Sequence, residues 1–296
     1  MTENVLYIWN INYSIMQDFI NKIIVGDSLD ILKQMPDDCI DCAITSPPYF
    51  GLRSYGSDSA IGNESTPDAY ISKLVDVFHE LKRVLKPEGT FWLNIGDTWN
   101  GSKTGNTENV KHKKVHENVS FEKKLWNGAK RKDLIGVPWA LGFALRNDGW
   151  YLRNDIIWHK ENAMPKTAPD RLSPSHEHIF LLTKSPDYYF NTNESYEPTV
   201  DGKGRRRMRD VWCINSSKGY GTCVAPFPET LIEPMVKMGC PEGGLVLDPF
   251  IGSGTTALVA LKNNRRFVGI ELNEQYAKEA EERLKPWTNQ NSTIQI

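Results

Sequence analysis

The sequence lacks the features that mark membrane, secreted and metal-binding proteins. No apolar run approaches the roughly 20 residues of a membrane-spanning helix. The N-terminus has no basic start, apolar stretch and cleavage site of a signal peptide. The five cysteines are irregularly spaced, and neither a second pair nor a histidine cluster accompanies Cys39 and Cys42. We therefore expect a soluble cytoplasmic protein without a bound metal, in which these two thiols pack in the interior.

The sequence also lacks an excess of charge of one sign. Its 296 residues include 35 lysines and arginines and 37 aspartates and glutamates, which gives a formal net charge of -2. Binding to nucleic acid would therefore depend on a local basic patch. With 40% hydrophobic residues, the chain is long enough for one large domain with insertions or for two small domains.

Short apolar runs alternate with amphipathic segments along most of the chain, which predicts an α/β domain. The predicted strands are Ile23–Val25, Ile40–Ile44, Thr90–Ile95, Leu152–Trp158, His178–Thr183, Leu245–Leu247 and Phe267–Ile270. A helix is predicted to begin at Thr66-Pro67 and to end at Lys86–Gly89, with apolar residues at helical spacing on one face. Further helices are predicted at Val137–Arg146, Pro228–Lys237, Thr255–Lys262 and Glu274–Leu284.

Two polar segments interrupt this alternation. Residues 99–132 are weakly periodic and rich in lysine, including Lys113 and Lys114. They form either a solvated loop or a surface that contacts phosphate. Residues 188–223 contain a dense group of arginines beside two aromatic residues: Arg205, Arg206, Arg207, Arg209, Trp212 and Tyr220. This group suits phosphate contact and base recognition, or else a surface loop paired with Asp201 and Asp210.

The string Asp248–Thr256 lies between a predicted strand and a predicted helix. Its glycines allow a tight turn and a close approach of the backbone to a ligand. The turn lacks the Lys-Ser/Thr ending of a phosphate-binding loop and the third glycine of a dinucleotide-binding motif. Glu271, at the tip of the next strand, is well placed to accept hydrogen bonds from ribose hydroxyls. These features indicate a site for a nucleoside cofactor.

The string Thr45-Ser46-Pro47-Pro48-Tyr49 follows a predicted strand, at the sheet edge where ligands bind in α/β folds. Prolines fix the backbone and lack N–H groups, which leaves carbonyls free to accept from an outside donor. Ser46 and the Pro47 carbonyl could draw the hydrogens of an exocyclic amino group and localise the nitrogen lone pair. Tyr49 could stack on the base. The alternative is a rigid turn with Tyr49 in the core.

Finding both strings in one chain indicates transfer of a group onto a nucleic-acid base. The two strings resemble the motifs of the DNA amino-methyltransferases, which use S-adenosylmethionine. That family carries an (Asp/Asn/Ser)-Pro-Pro-(Tyr/Phe/Trp) motif and an Asp-Pro-Phe-x-Gly-Ser-Gly-Thr motif, and both are present here. The resemblance covers nearly the whole chain, and the order, with the catalytic motif first, is like that of the β group.

The resemblance implies a fold and a domain organisation. We expect an α/β fold with a Rossmann-like, seven-stranded, mostly parallel sheet, helices on both faces and a circularly permuted order, plus a small target-recognition insertion. The methyltransferase domain would comprise residues 1–98, 134–187 and 224–296, with a basic insertion at 99–133 and a candidate target-recognition region at 188–223. Because the chain ends soon after the helix that follows Glu271, the neighbouring strand is expected from the N-terminus, at Ile23–Asp27.

The resemblance also implies roles for single residues. Ser46, Pro47, Pro48 and Tyr49 would be catalytic. The implied cofactor-binding residues are Asp27, Thr45, Pro228, Glu229, Thr230, Asp248, Phe250, Gly252, Ser253, Gly254, Thr255, Thr256 and Glu271. Asp27 would face the adenine amino group, and the Pro-Phe-Pro-Glu element at 226–229 would flank the methionine part. Gly89–Asp97 and Trp150–Lys160 match strands that build the wall of the base pocket. The candidate DNA contacts are Arg205, Arg206, Arg207, Arg209, Lys113 and Lys114.

In this family, serine at the first motif position usually accompanies methylation of cytosine N4, and aspartate that of adenine N6. Ser46 therefore favours cytosine in double-stranded DNA, with adenine N6 as the alternative. Transfer to RNA or a protein glutamine amide is less favoured, because Ser46 replaces asparagine. Transfer to cytosine carbon-5 is excluded, since Cys240-Pro241 has the reverse order of the Pro-Cys turn. The resemblance allows a separate cognate restriction endonuclease and a monomer or homodimer in a prokaryotic or phage system.

Overall fold

The computed structural model describes residues 14–51, 60–101, 129–165, 168–217, 221 and 227–288. The strands are β1 (Lys22–Val25), β2 (Ile40–Thr45), β3 (Leu85–Ile95), β4 (Tyr151–His159), β5 (His176–Thr183), β6 (Tyr196–Pro198), β7 (Arg205–Arg207), β8 (Val211–Cys213), β9 (Leu245–Asp248) and β10 (Arg266–Glu271). The helices are α1 (Ser28–Leu32), α2 (Pro67–Val84), α3 (Val137–Asn147), α4 (Glu229–Gly239), α5 (Thr255–Lys262) and α6 (Glu274–Thr288).

The centre of the fold is an eight-stranded sheet in the order β1-β10-β9-β2-β3-β5-β4-β8. The five neighbouring strands β1, β10, β9, β2 and β3 are parallel, whereas β5 runs antiparallel to both β3 and β4. This arrangement confirms the mostly parallel α/β fold. β1 pairs with β10, with Ile24 opposite Ile270, so the strand beside Glu271 does come from the N-terminal part. The permuted order is therefore confirmed.

The helices cover both faces of the sheet, as expected. One core contains α1, α2 and α3 residues and includes Phe78 and Leu141, while the other contains α4, α5 and α6 residues and includes Met235 and Leu258. Cys42 is fully buried, and Cys39 is half-buried and packs against the hydrophobic core. Burial raises the pKa of the Cys39 thiol to about 12. Within the described residues, no cluster of acidic, histidine and cysteine side chains could hold a metal ion.

Helix α2 begins as the sequence predicts. The Thr66 hydroxyl accepts a hydrogen bond from the Ala69 amide at 3.2 Å, and Pro67 occupies the first turn. The helix ends at Val84, before the predicted stop, because residues 85–89 already belong to β3. The register of β3 against β2 shifts between Ile40 and Cys42, which accommodates this irregular start.

Residues 188–217 join the main domain rather than forming a separate unit. β6 and β7 form an antiparallel hairpin, and β8 adds to the main sheet as a strand parallel to β4. β8 is therefore an eighth strand beyond the seven expected from the resemblance. Of the helices in the described ranges, none is long and apolar enough to cross a membrane.

Candidate active site

A cavity of about 410 Å³ opens at the carboxyl ends of the parallel strands. β9 and β2 are neighbours in the sheet, and the chain segments that follow them reach the cavity from both sides. Ser46 and Gly252 both line this cavity, although they lie far apart along the chain. Its volume falls within the range of roughly 300–1,000 Å³ that is typical of ligand pockets. The two sequence strings thus face a single cavity.

The glycine turn after β9 is fastened to the neighbouring strand β10. The Ile251 amide donates to the Ile270 carbonyl at 2.9 Å, and the Gly252 amide donates to Glu271 Oε2 at 2.9 Å. Gly252 and Gly254 have φ angles of 50° and 78°, in the left-handed region that glycine adopts without a steric penalty. The turn therefore follows the edge of the sheet and brings its backbone to the cavity.

Two carboxylates line the same side of the cavity. Glu271 Oε1 accepts from the Asn273 amide at 2.8 Å, and burial raises the pKa of Glu271 while its amide hydrogen bonds oppose that shift. Asp27 caps α1, since its Oδ1 accepts from the Leu29 amide at 2.9 Å. Carboxylate oxygens have further lone pairs, so both groups can still accept from the hydroxyl and amino groups of a nucleoside.

The predicted cofactor residues Phe250, Ser253 and Thr255 also line the cavity, whereas four others lie behind it: Thr45, Asp248, Gly254 and Thr256. Asp248 is buried and accepts from the Thr45 hydroxyl at 2.5 Å, the Phe250 amide at 3.0 Å and the Thr256 hydroxyl at 2.6 Å. These bonds tie β2, β9 and α5 together. The network positions the two turns, and direct contact of these four residues with a cofactor stays a prediction.

Pro228, Glu229 and Thr230 do not line the cavity either. They form the start of α4, where Glu229 makes ion pairs with Lys262 and Arg283. Among residues 227–229 of the Pro-Phe-Pro-Glu element, the part that the structure describes, Phe227 reaches the cavity. Contact of residues 228–230 with a cofactor stays a prediction, and helix formation turns these residues away from the cavity.

The turn that follows β2 presents Ser46, Pro47, Pro48 and Tyr49 to the cavity. The Tyr70 hydroxyl donates to the Pro48 carbonyl at 2.8 Å, whereas no donor within the described ranges bonds to the Pro47 carbonyl. The Ser46 hydroxyl donates to Tyr49 Oη at 3.2 Å. Burial raises the pKa of Tyr49 well above its usual range, so this phenol stays protonated. Tyr49 lines the cavity and also packs against the hydrophobic core, so its stacking on a base stays a prediction.

The opposite wall of the cavity contains residues from β3, β4 and β5. Asn94, Trp158 and Lys160 fall in the two ranges expected to build this wall, and Glu177 was not anticipated. Lys160 Nζ forms an ion pair with Glu177 Oε1 and lies 3.8 Å from the centroid of the Trp158 ring. Glu177 is near the beginning of its strand, and only the antiparallel direction of β5 brings it to this edge. Sequence periodicity carries no signal for that direction.

The candidate DNA contacts lie on the β6–β7 hairpin and beside it. Arg205 and Arg207 are exposed and flank the Tyr196 ring, with guanidinium carbons 5.8 and 5.6 Å from its centroid. Arg206 is paired with Glu197 at 2.8 Å, so the predicted pairing of these arginines with Asp201 and Asp210 is not what the described residues form. Arg209 is exposed just before β8. Lys113, Lys114 and Tyr220 lie outside the described residues.

The Asp248 network predicts a pH dependence of stability. Burial raises the pKa of Asp248 from 3.8 to about 6. Between these values the folded chain holds a proton that the unfolded chain has released, so rising pH favours unfolding. The free energy of unfolding of the wild-type protein minus that of the Asp248→Asn variant should fall by up to about 3 kcal/mol as the pH rises from 4 to 6. Urea denaturation of both proteins, followed by circular dichroism across this range, measures the difference. Parallel stability curves would contradict the prediction.

Comparison with known proteins identifies DNA methyltransferases as relatives of this chain. The family profile of the N6 and N4 methyltransferases, described as DNA methylase, matches residues 40–282. The Type II methyltransferase M.SmaI of Serratia marcescens is 47% identical over 265 residues, which covers 89% of this chain and 90% of the relative. M.XycI of Xanthomonas campestris pv. cyanopsidis, also a Type II methyltransferase, is 44% identical over 269 residues and covers 91% and 88%.

Solved structures give the same fold. TTHA0409 of Thermus thermophilus, in complex with S-adenosyl-L-methionine, superposes with a TM-score of 0.62 at 26% identity, over 90% of this chain and 95% of that one. The cytosine-N4-specific PvuII DNA methyltransferase gives a TM-score of 0.64 over 90% and 91% of the chains, and at 18% identity it shows the fold alone. The chain belongs to the N6/N4 DNA methyltransferase family.

Proposed function

We propose that this protein transfers a methyl group from S-adenosylmethionine to the exocyclic N4 of a cytosine that has been flipped out of double-stranded DNA. The chain is a DNA methyltransferase of the N6/N4 family, and S-adenosylmethionine is its methyl donor. The observation that carries the finer assignment is the serine at the first position of the turn after β2. Ser46 lines the same cavity as Gly252 and Glu271.

One wall of the cavity, which we call the cofactor wall, contains Asp27, Phe250, Gly252 and Glu271 and suits an adenosine group. Glu271 offers acceptors to the ribose hydroxyls, and Asp27 offers one to the adenine amino group. Phe250 and Phe227 supply apolar surface, and the backbone at Gly252 allows close approach. When bound, S-adenosylmethionine supplies an electrophilic methyl group on sulfur. The residues named here would hold that group toward the wall that contains Ser46.

The wall that contains Ser46, Pro47, Pro48 and Tyr49, which we call the target wall, would activate the amino group of the base. This nitrogen is a poor nucleophile because its lone pair is conjugated with the ring. The Ser46 hydroxyl and the Pro47 carbonyl are acceptors for its two hydrogens, and such hydrogen bonds localise the lone pair on nitrogen. Flipping the base out of the duplex costs a few kcal/mol. Stacking on Tyr49 would return roughly 1–3 kcal/mol, which offsets much of this cost.

Several finer points of function are also part of this proposal. The arginines Arg205, Arg207 and Arg209 would contact phosphates, since all three are exposed and the first two lie beside the Tyr196 ring. Residues Ser216 and Ser217, which follow β8, line the cavity and so would link target recognition to the active site. By analogy with the Type II relatives, the methylation would protect sites that a separate endonuclease cuts.

The product assay tests the proposal directly. Unmethylated DNA of many sequences is incubated with the protein and labelled S-adenosylmethionine, digested to nucleosides and analysed by mass spectrometry. We expect N4-methylcytosine as the product. N6-methyladenine as the sole product would show that the target base is adenine and that the reaction is still methylation of an amino group. Parallel reactions contain RNA or protein in place of DNA. Label in RNA or protein, with DNA unlabelled, would contradict the proposed substrate.

Two substitutions separate the cofactor wall from the target wall. Tyr49→Ala should lower kcat/KM by roughly 10- to 100-fold through lost stacking, with cofactor affinity nearly unchanged. Gly252→Val should abolish cofactor binding, because valine is strained at a φ of 50°. Isothermal titration calorimetry and steady-state kinetics measure the two effects. Gly202→Val is the matched control, since Gly202 has a φ of 68° in open space away from the cavity. Unaltered cofactor binding in Gly252→Val would refute the cofactor placement.

The hairpin arginines should differ in their effect on DNA affinity. The double variant Arg205→Ala/Arg207→Ala should weaken binding to all sequences and reduce the salt slope of log K by about 2, because each lost phosphate contact removes about one unit. Arg206→Ala is the control and should have a smaller effect, since this guanidinium is paired with Glu197. Fluorescence anisotropy at several salt concentrations provides the slopes. Equal slopes for the three proteins would argue against a hairpin contact with phosphate.

A further inference from the structure

We propose that Glu177 is the terminal proton acceptor of the methyl transfer, reached from the target amino group through the hydroxyls of Ser46 and Tyr49. This inference rests on the proposed methylation of an amino group and adds a route for the proton that the nitrogen must lose. The three side chains line the cavity and form a connected series of hydrogen bonds.

The hydrogen bonds run in one direction. The Ser46 hydroxyl donates to Tyr49 Oη at 3.2 Å, and the Tyr49 hydroxyl donates to Glu177 Oε2 at 2.7 Å. With its hydrogen committed to Tyr49, Ser46 Oγ keeps its lone pairs for a hydrogen of the target base. The first bond is long for a pair of hydroxyls, as hydrogen bonds of active sites often are before substrate binds.

Tyr49 has a second neighbour that competes for its single proton. Asn94 Oδ1 also lies 3.2 Å from Tyr49 Oη, while the Asn94 amide nitrogen donates to the His178 carbonyl at 3.2 Å. The contact with Glu177 is shorter by half an ångström and ends on a carboxylate, so it is the stronger bond. The proton of Tyr49 therefore points to Glu177 rather than to Asn94.

Lys160 positions the acceptor. Its ammonium group pairs with Glu177 Oε1, and the side chains of Lys160 and Glu177 are only 16% and 20% exposed. The Trp158 ring lies against the ammonium group and limits its movement. Because Oε1 is occupied by Lys160, Oε2 remains as the oxygen that receives a proton from Tyr49.

The chemistry requires an acceptor on this wall. The nitrogen lone pair forms the new C–N bond while the C–S bond breaks and its electron pair goes to sulfur, which leaves a positively charged, strongly acidic nitrogen. Even a carboxylate paired with lysine is a sufficient base for that proton. The nitrogen proton passes to Ser46, the Ser46 proton to Tyr49 and the Tyr49 proton to Glu177, which becomes a carboxylic acid and then releases the proton to water. Since Tyr49 resists ionisation, its proton leaves only as another arrives.

A double-mutant cycle tests the relay with conservative variants. Tyr49→Phe retains the stacking ring and removes the hydroxyl, and Glu177→Gln retains an oxygen that can accept from Tyr49. Each should lower the single-turnover rate of methyl transfer by about 10²-fold, with KM for DNA and cofactor affinity unchanged. The double variant should be no slower than the slower single variant, because both changes break the same chain.

The matched control removes another hydroxyl from the same turn. Tyr70→Phe deletes the hydrogen bond to the Pro48 carbonyl and leaves the relay intact, so the single-turnover rate should change much less than in Tyr49→Phe. Rates of Tyr49→Phe or Glu177→Gln near that of the wild type would overturn the relay, as would independent, multiplicative effects in the double variant. Those outcomes leave a wild-type protein that still makes N4-methylcytosine. Failure of the proposed function would instead appear as wild-type protein that methylates no DNA.

Discussion

The buried carboxylate of Asp248 is the interaction on which the rest of the site depends. One of its oxygens accepts from Thr45, at the end of β2, and the other accepts from Thr256, at the start of α5. A buried carboxyl group without such donors would be strongly unfavourable. These bonds hold the turn after β2 against the turn after β9, which sets the distance between the cofactor wall and the target wall.

The sheet order explains why those two turns can meet. β9 and β2 are adjacent and parallel, so both chains leave the sheet at the same edge. The helices that follow pack on opposite faces, which opens a crevice between them, as is general at such points in α/β sheets. The permuted chain order has no effect on this crevice, because β1 fills the position beside β10 from the other end of the chain.

Antiparallel β5 gives the cavity its third wall. A parallel strand in that position would present its last residues at this edge, whereas β5 presents its first ones, including Glu177. The neighbouring β4 runs in the opposite direction and contributes Trp158 and, just beyond its end, Lys160. Oppositely directed strands thus bring a carboxylate and an ammonium group together beside the base-binding turn. The other edge of β4 pairs with β8, so the arginine-rich region is continuous with the sheet that forms this wall.

The sequence by itself determined the α/β class, seven strands and five helices in their chain order, and the two turns that face the cavity, whereas α1, β6, β7 and β8 were not predicted. Those features follow from short-range rules of periodicity, capping and turn chemistry, and Thr66, Pro67 and the glycines of the second turn obey them. The tertiary structure decided which residues of each motif reach the cavity. It placed Asp248 and Thr45 behind the turns, brought Phe227 to the cavity and brought Glu177 beside Tyr49. These outcomes depend on strand direction and on contacts between residues distant in the chain, which no local pattern encodes.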